Sequence, residues 1–151
     1  MDGDPGPPPS KLPRYVILGG AVLVAVVFAA ILALRFHTEK ATVRRFLSQE
    51  AAGDFQAAYR TWKPGSSYGF EDFMRDWGPK GEYGPVKSFE LREAHRPPDA
   101  SGVVVTVDLS PYSPFPDQGD AKSRDTKAVR LWVESSDQSM SYAPTEYHIK
   151  R

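Results

Sequence analysis

The run from Tyr15 to Leu34, YVILGGAVLVAVVFAAILAL, contains no charged residue, no Asn, Gln, Ser or Thr, and no Pro. As a helix it reaches roughly 30 Å, the hydrocarbon thickness of a bilayer, and a helix satisfies its own backbone hydrogen bonds where water is absent. The run predicts a single transmembrane helix, with the membrane lipid bilayer as its first partner. A competing reading takes Lys11 and Arg14 as the positive flank of a cleaved secretory signal, with Val27 and Ala29 as the small-residue cleavage pair. The run exceeds the about 7 to 15 residues of a signal core, and a cut after Ala29 would leave Ala30 to Leu34 as a greasy new terminus. An uncleaved anchor fits better.

Orientation follows from flanking charge only in part. Lys11 and Arg14 precede the run, whereas Arg35, Lys40, Arg44 and Arg45 follow it, a bias that by itself places the C-terminal side in the cytoplasm. The last three belong to a region patterned as a folded domain, and such domains translocate largely regardless of charge. The expectation is therefore a short tail inside, an extracytoplasmic domain, and a location in the cell membrane. The chain contains no cysteine, which suits an oxidising or a reducing compartment equally.

Three segments result. Residues 1–14 form a Pro-rich tail, MDGDPGPPPSKLPR, with little to bury and an expectation of disorder or polyproline-like extension. Residues 15–34 are the span, and residues 35–151, about 115 residues, suffice for one domain with a modest core. Formal net charge is zero and the cations are scattered among the carboxylates. This is not the basic stripe that nucleic acid requires.

Beyond the span the hydrophobic period is helical. Val43, Phe46, Leu47 and Ala51 recur at three-and-four spacing, and Gly53 is placed to end that helix in the left-handed conformation. Asp54 is placed to cap a second helix through Phe55, Ala58, Tyr59 and Trp62, stopped by Pro64 and Gly65. Ser66 or Ser67 is positioned to cap a third, carrying Phe70, Phe73, Met74 and Trp77. From Pro85 onward the period shifts to two. Val103, Val105, Val107 and Leu109 alternate with Val104, Thr106, Asp108 and Ser110, and Val129, Leu131 and Val133 alternate with Arg130, Trp132 and Glu134. Further strands are expected over Lys87 to Glu93 and Thr145 to Lys150. Helices followed by antiparallel strands define an α+β domain, a small set of helices packed on a curved antiparallel sheet.

Phe46 and Leu47, then Ala52, Gly53, Asp54, Phe55, Ala58 and Tyr59, then Phe70 and Phe73, and finally a run of strands resemble the nuclear-transport-factor-2-like superfamily over roughly Glu39 to Ile149. The closing segment departs from that pattern, with Tyr147, His148 and Ile149 where such domains often place a Trp. The resemblance implies a sheet curled around the first soluble helix and a pocket at the wide end of a cone. Members include isomerases and dehydratases, binding modules without activity, and bitopic scaffold subunits of bacterial envelope machines, so the fold does not select the function.

The residues do not assemble a reaction. His37, His95 and His148 share no local metal spacing, Asp54 reads as a cap, and Asp72 and Asp76 read as solvated helix charges. The glycines from Gly65 to Gly84 lack the flanking strand and the Lys-Ser/Thr arrangement of a phosphate loop. No catalytic residue, metal or cofactor is assigned.

Aromatics and small residues are the better candidates. Phe70, Phe73 and Trp77 read as core, whereas Trp62, Tyr68 and Tyr83, lying among glycines and prolines, are candidate ligand or partner contacts. Tyr112 and Phe115, stiffened by Pro111, Pro114 and Pro116, form a second candidate contact. Within the span, Ala21, Ala25, Ala29 and Ala33 repeat every fourth residue and form a ridge that permits close approach of another helix. These features favour a non-catalytic binding or scaffold domain, an accessory subunit with a membrane-protein partner. The alternative is an isomerase-like or carrier protein whose pocket takes a small apolar ligand.

Overall fold

The computed structural model describes residues 3, 5–8, 12–116 and 126–145. The chain is α+β, with a long apolar helix at its N-terminus and a four-stranded antiparallel sheet. It divides into two units, Met1–Arg35 and Phe36–Arg151.

The first unit holds α1, Leu12–Leu34. It starts three residues before the expected span, and Pro13 is tolerated there because amide groups in a helix's first turn have no intrahelical acceptor. From Pro13 to Leu34 the side chains are exposed, Leu23 at 64% and Val24 at 68%. Among the described residues α1 is the one helix long and apolar enough to cross a membrane.

In the second unit, α2 (His37–Ala51) buries Val43, Phe46, Leu47 and Glu50 along one face. Gly53, at φ 76°, takes the left-handed position expected of it, and its amide donates to the Glu50 carbonyl. The Asp54 carboxylate then accepts the Ala57 amide at 3.1 Å and opens α3, Phe55–Trp62. The cap of α4 (Phe70–Trp77) is Gly69 rather than Ser66 or Ser67. Asp72, inside the first turn, accepts the Gly69 amide at 3.1 Å, so the capping position needs no side chain of its own.

Strands β1 (Ser88–His95), β2 (Gly102–Ser110), β3 (Lys127–Glu134) and β4 (Met140–Tyr142) pair in chain order, each antiparallel to the next. The β1–β2 register slips at Arg92, an extra residue between Leu91, opposite Val107, and Glu93, opposite Thr106. A bulge of this kind bends and twists its strand. Sequence alternation predicted one buried face for β2, yet Val104 is buried as fully as Val103 and Val105. The reason is cross-strand: Trp132 of β3 stands opposite Val104, and its ring lies so close to Gly102 that a Cβ there would come within 2.5 Å of it. β4 was not legible as a strand. The expected strand over Thr145 to Lys150 lies, except for Thr145, outside the described residues.

The core forms where α2 faces the sheet. Val43, Phe46 and Leu47 meet Val103, Val105, Val107, Leu109, Val129, Leu131 and Val133, and α3 and α4 close it with Ala58, Trp62, Phe73 and Trp77. The β-branched side chains of the sheet suit a pleated surface, and the rings of the short helices supply large buried area from few residues.

Candidate functional site

The aromatic residues converge at one end of this core. Phe46 meets Trp77 edge-on at 4.8 Å and Trp62 at 5.1 Å, while Tyr142 of β4 lies parallel to Trp77 at 6.4 Å and tilted against Trp62 at 5.3 Å. Tyr68 stacks on Trp62 at 6.1 Å, and Tyr83 packs on Trp77 at 4.9 Å. Edge-to-face and offset contacts place positive ring edges against negative faces, so the cluster is held by geometry as well as by buried area.

A carboxylate ties two of these rings together. Asp76 Oδ2 accepts the Tyr68 hydroxyl at 2.6 Å and the Tyr142 hydroxyl at 2.9 Å. Asp76 reaches them because α4 places it one residue before Trp77, at the half-buried edge of its apolar face. The expectation that Asp76 is a solvated charge is therefore corrected, since its oxygen serves two phenols. Burial, followed by the hydrogen bond to Asp76, pushes the Tyr68 hydroxyl above the ordinary phenol range. Burial, then the neighbouring Tyr68 hydroxyl and Asp76, does the same to Tyr142. Tyr83 is also raised, by burial and then by the charges of Glu82 and Asp76. Phenols held protonated in this way donate hydrogen bonds and are poor bases.

A second carboxyl lies deeper. Glu50 is 3% exposed on the core face of α2, one turn beyond Phe46, and neither of its oxygens finds a hydrogen-bond partner among the described residues. Burial pushes its pKa up from 4.5 to about 8. A carboxyl without a partner in an apolar interior keeps its proton because the charged form loses its hydration. The indole Nε1 of Trp77 is likewise buried without a partner among the described residues. Periodicity along α2 does not reveal Glu50, because it reports the average direction of a face and not the one acidic residue that turns inward.

The residues singled out by sequence separate into distinct settings. Trp62 is 3% exposed and belongs to the core, against the expectation that its loop neighbourhood would leave it outside. Tyr68 and Tyr83 are half-buried against that core. Phe73 and Trp77 are fully buried and Phe70 partly so, as expected of core residues. Tyr112 is 44% exposed and Phe115 half-buried in the segment after β2, whose residues 117–119 lie outside the described residues. Ala21, Ala25, Ala29 and Ala33 are exposed along α1. His37 and His95 are exposed, His148 lies outside the described residues, and no group of three or more His, Cys, Asp or Glu able to hold a metal ion occurs among the described residues.

No protein-family model, curated protein or solved structure matches the chain.

Proposed function

We propose that the protein is a single-pass membrane-anchored binding domain of the nuclear-transport-factor-2-like type, an accessory or scaffold subunit whose C-terminal domain is extracytoplasmic and which performs no catalysis. The observation that carries this reading is α1: its apolar side chains are exposed from Pro13 to Leu34, and burial in lipid removes that cost at about 25 cal/mol per Å². The aromatic cluster supports the non-catalytic part. Its two bonded phenols are engaged with Asp76, and their raised pKa values make them unsuited to proton abstraction.

Three measurements test it. The full chain is expected to stay with the membrane through alkaline carbonate extraction, and release into the soluble fraction refutes the anchor. Protease added to sealed, right-side-out cells or vesicles is expected to cut the C-terminal domain, and full protection reverses the orientation. Purification from detergent-solubilised native membranes is expected to bring down a stoichiometric membrane-protein partner, and a lone monomer argues against scaffolding.

Glu50 favours a second reading, a small-ligand pocket of isomerase or carrier type, because an interior acid without a partner is a group that a bound molecule would satisfy. Native mass spectrometry of the detergent-released protein decides it. A bound small molecule lost in Glu50→Leu supports the pocket, and a clean apo mass refutes it.

A further inference from the structure

A groove of about 490 Å³ runs along the outer side of α2 and α3, away from the aromatic cluster, and is closed by the turn between β3 and β4. Each of its three walls is fastened to the other two. Thr61 of α3 donates its hydroxyl to Gln49 Oε1 of α2 at 2.6 Å, Thr42 of α2 donates to Gln138 Oε1 of the turn at 2.8 Å, and Lys63 Nζ at the end of α3 donates to the Asp137 carbonyl. Lys63 and Gln138, both lining the groove, hold left-handed backbone at φ 50° and 61°. Such conformations are costly in residues other than glycine and persist where the surrounding structure imposes them, often at binding sites.

The lining is cationic. Arg45, Arg60 and Lys63 line the groove, and no carboxylate does. Elsewhere in the domain Arg75 pairs with Asp72, Arg92 with Asp108 and Arg96 with Glu39, whereas Arg45 and Arg60 meet no carboxylate among the described residues. Asp137 sits beside Lys63, whose charge, after the Ser139 amide and hydroxyl, helps hold the aspartate below the usual carboxylate range, and it offsets part of the lysine's charge. The two arginines remain uncompensated. Because Gln49 accepts from Thr61 through Oε1, its amide hydrogens stay available as donors beside them.

We propose that this groove binds a phosphate-bearing molecule. Two guanidinium groups match phosphate oxygens bidentately, an ammonium and an amide donor complete the set, and the volume exceeds that of a bare ion, so the ligand is an organic phosphate ester. Two sources supply that chemistry: a soluble phosphate ester, or the headgroup of an anionic phospholipid. The headgroup is a source within reach of the chain, since the groove's first residue, Thr38, follows the last residue of α1 by four positions. The proposal is independent of any protein partner, and a failed partner search leaves it intact.

The test uses the full chain in phosphatidylcholine nanodiscs, titrated calorimetrically with glycerol 3-phosphate, and in nanodiscs containing phosphatidylglycerol, followed by thermal unfolding. Saturable glycerol 3-phosphate binding, weakened at least tenfold by Arg45→Gln with Arg60→Gln and unaffected by Arg75→Gln, assigns a soluble ester. A phosphatidylglycerol-dependent rise in melting temperature that the same double variant abolishes assigns a headgroup. The charge-preserving pair Arg45→Lys with Arg60→Lys is expected to retain intermediate affinity, and it guards against a double variant that fails to fold. Absence of both effects, or effects that survive the double variant at full strength, overturns the proposal.

Discussion

Asp76 and Glu50 are both carboxyl groups drawn into the same domain, and the structure gives them opposite surroundings. Asp76 lies at the half-buried edge of α4 and accepts two tyrosine hydroxyls. Glu50 lies on the core face of α2 with no partner for either oxygen among the described residues, and burial raises its pKa to about 8. The difference teaches that a carboxyl drawn inward is either met by donors that replace its lost water, as at Asp76, or pushed towards its neutral form by burial, as at Glu50.

The largest effect expected from this contrast is a dependence of stability on pH set by Glu50. The folded pKa is raised above the unfolded value of 4.5, so Glu50's contribution is complete below about pH 4.5 and is lost as pH rises towards 8. Over that window the unfolded chain has released the proton and the folded chain still holds it. Stability then falls by at most about 1.4 kcal/mol per pH unit. Chemical denaturation of the full chain in detergent at pH 5, 6.5 and 8 checks it. Glu50→Gln is expected to flatten the series and to be the more stable form at pH 8, and an unchanged slope would remove the burial argument.

Asp76→Ala comes next. It strips both phenols of their acceptor, and about 2 to 3 kcal/mol of destabilisation is expected, at the scale of losing charged hydrogen bonds and leaving donors unsatisfied. Tyr142→Phe and Tyr68→Phe each remove one donor, for about 1 to 2 kcal/mol. A double-mutant cycle of Tyr142→Phe with Asp76→Ala is expected to show coupling of about 1 kcal/mol, and strict additivity would mean that the bond contributes nothing to stability.

The smallest effect sharpens the comparison with a third carboxylate. Asp54 is exposed, and its carboxylate accepts the Ala57 amide at the start of α3. Asp54→Ala is expected to cost about 1 kcal/mol, read from the denaturation midpoint, with no change in the Glu50-dependent pH slope.

These three acids differ in how far sequence reveals them. Asp54 was legible because a cap is a local event: a glycine before it and an apolar run after it are enough. Asp76 was misread because its partners, Tyr68 and Tyr142, come from a loop and from a three-residue strand with no periodicity of its own. Glu50 was missed because a helical face is read by its average, and one inward acid does not change the average. The groove escaped notice for a related reason, since Arg45, Arg60 and Gln138 come together only when three separate elements pack.

The residue order by itself determined the local features: the apolar helical run from Tyr15 to Leu34, the left-handed stop at Gly53, and the β-period of Val103 to Leu109 and Val129 to Val133. Each follows from spacing along a few residues and from the steric preferences of those residues. Only the tertiary structure decided that Val104 is buried on the second face of β2, that Trp62 is interior, that burial raises the pKa of one carboxyl while another binds two phenols, and that two arginines are left without a carboxylate among the described residues. Burial and electrostatic pairing depend on neighbours distant in the chain, and those neighbours are chosen by packing.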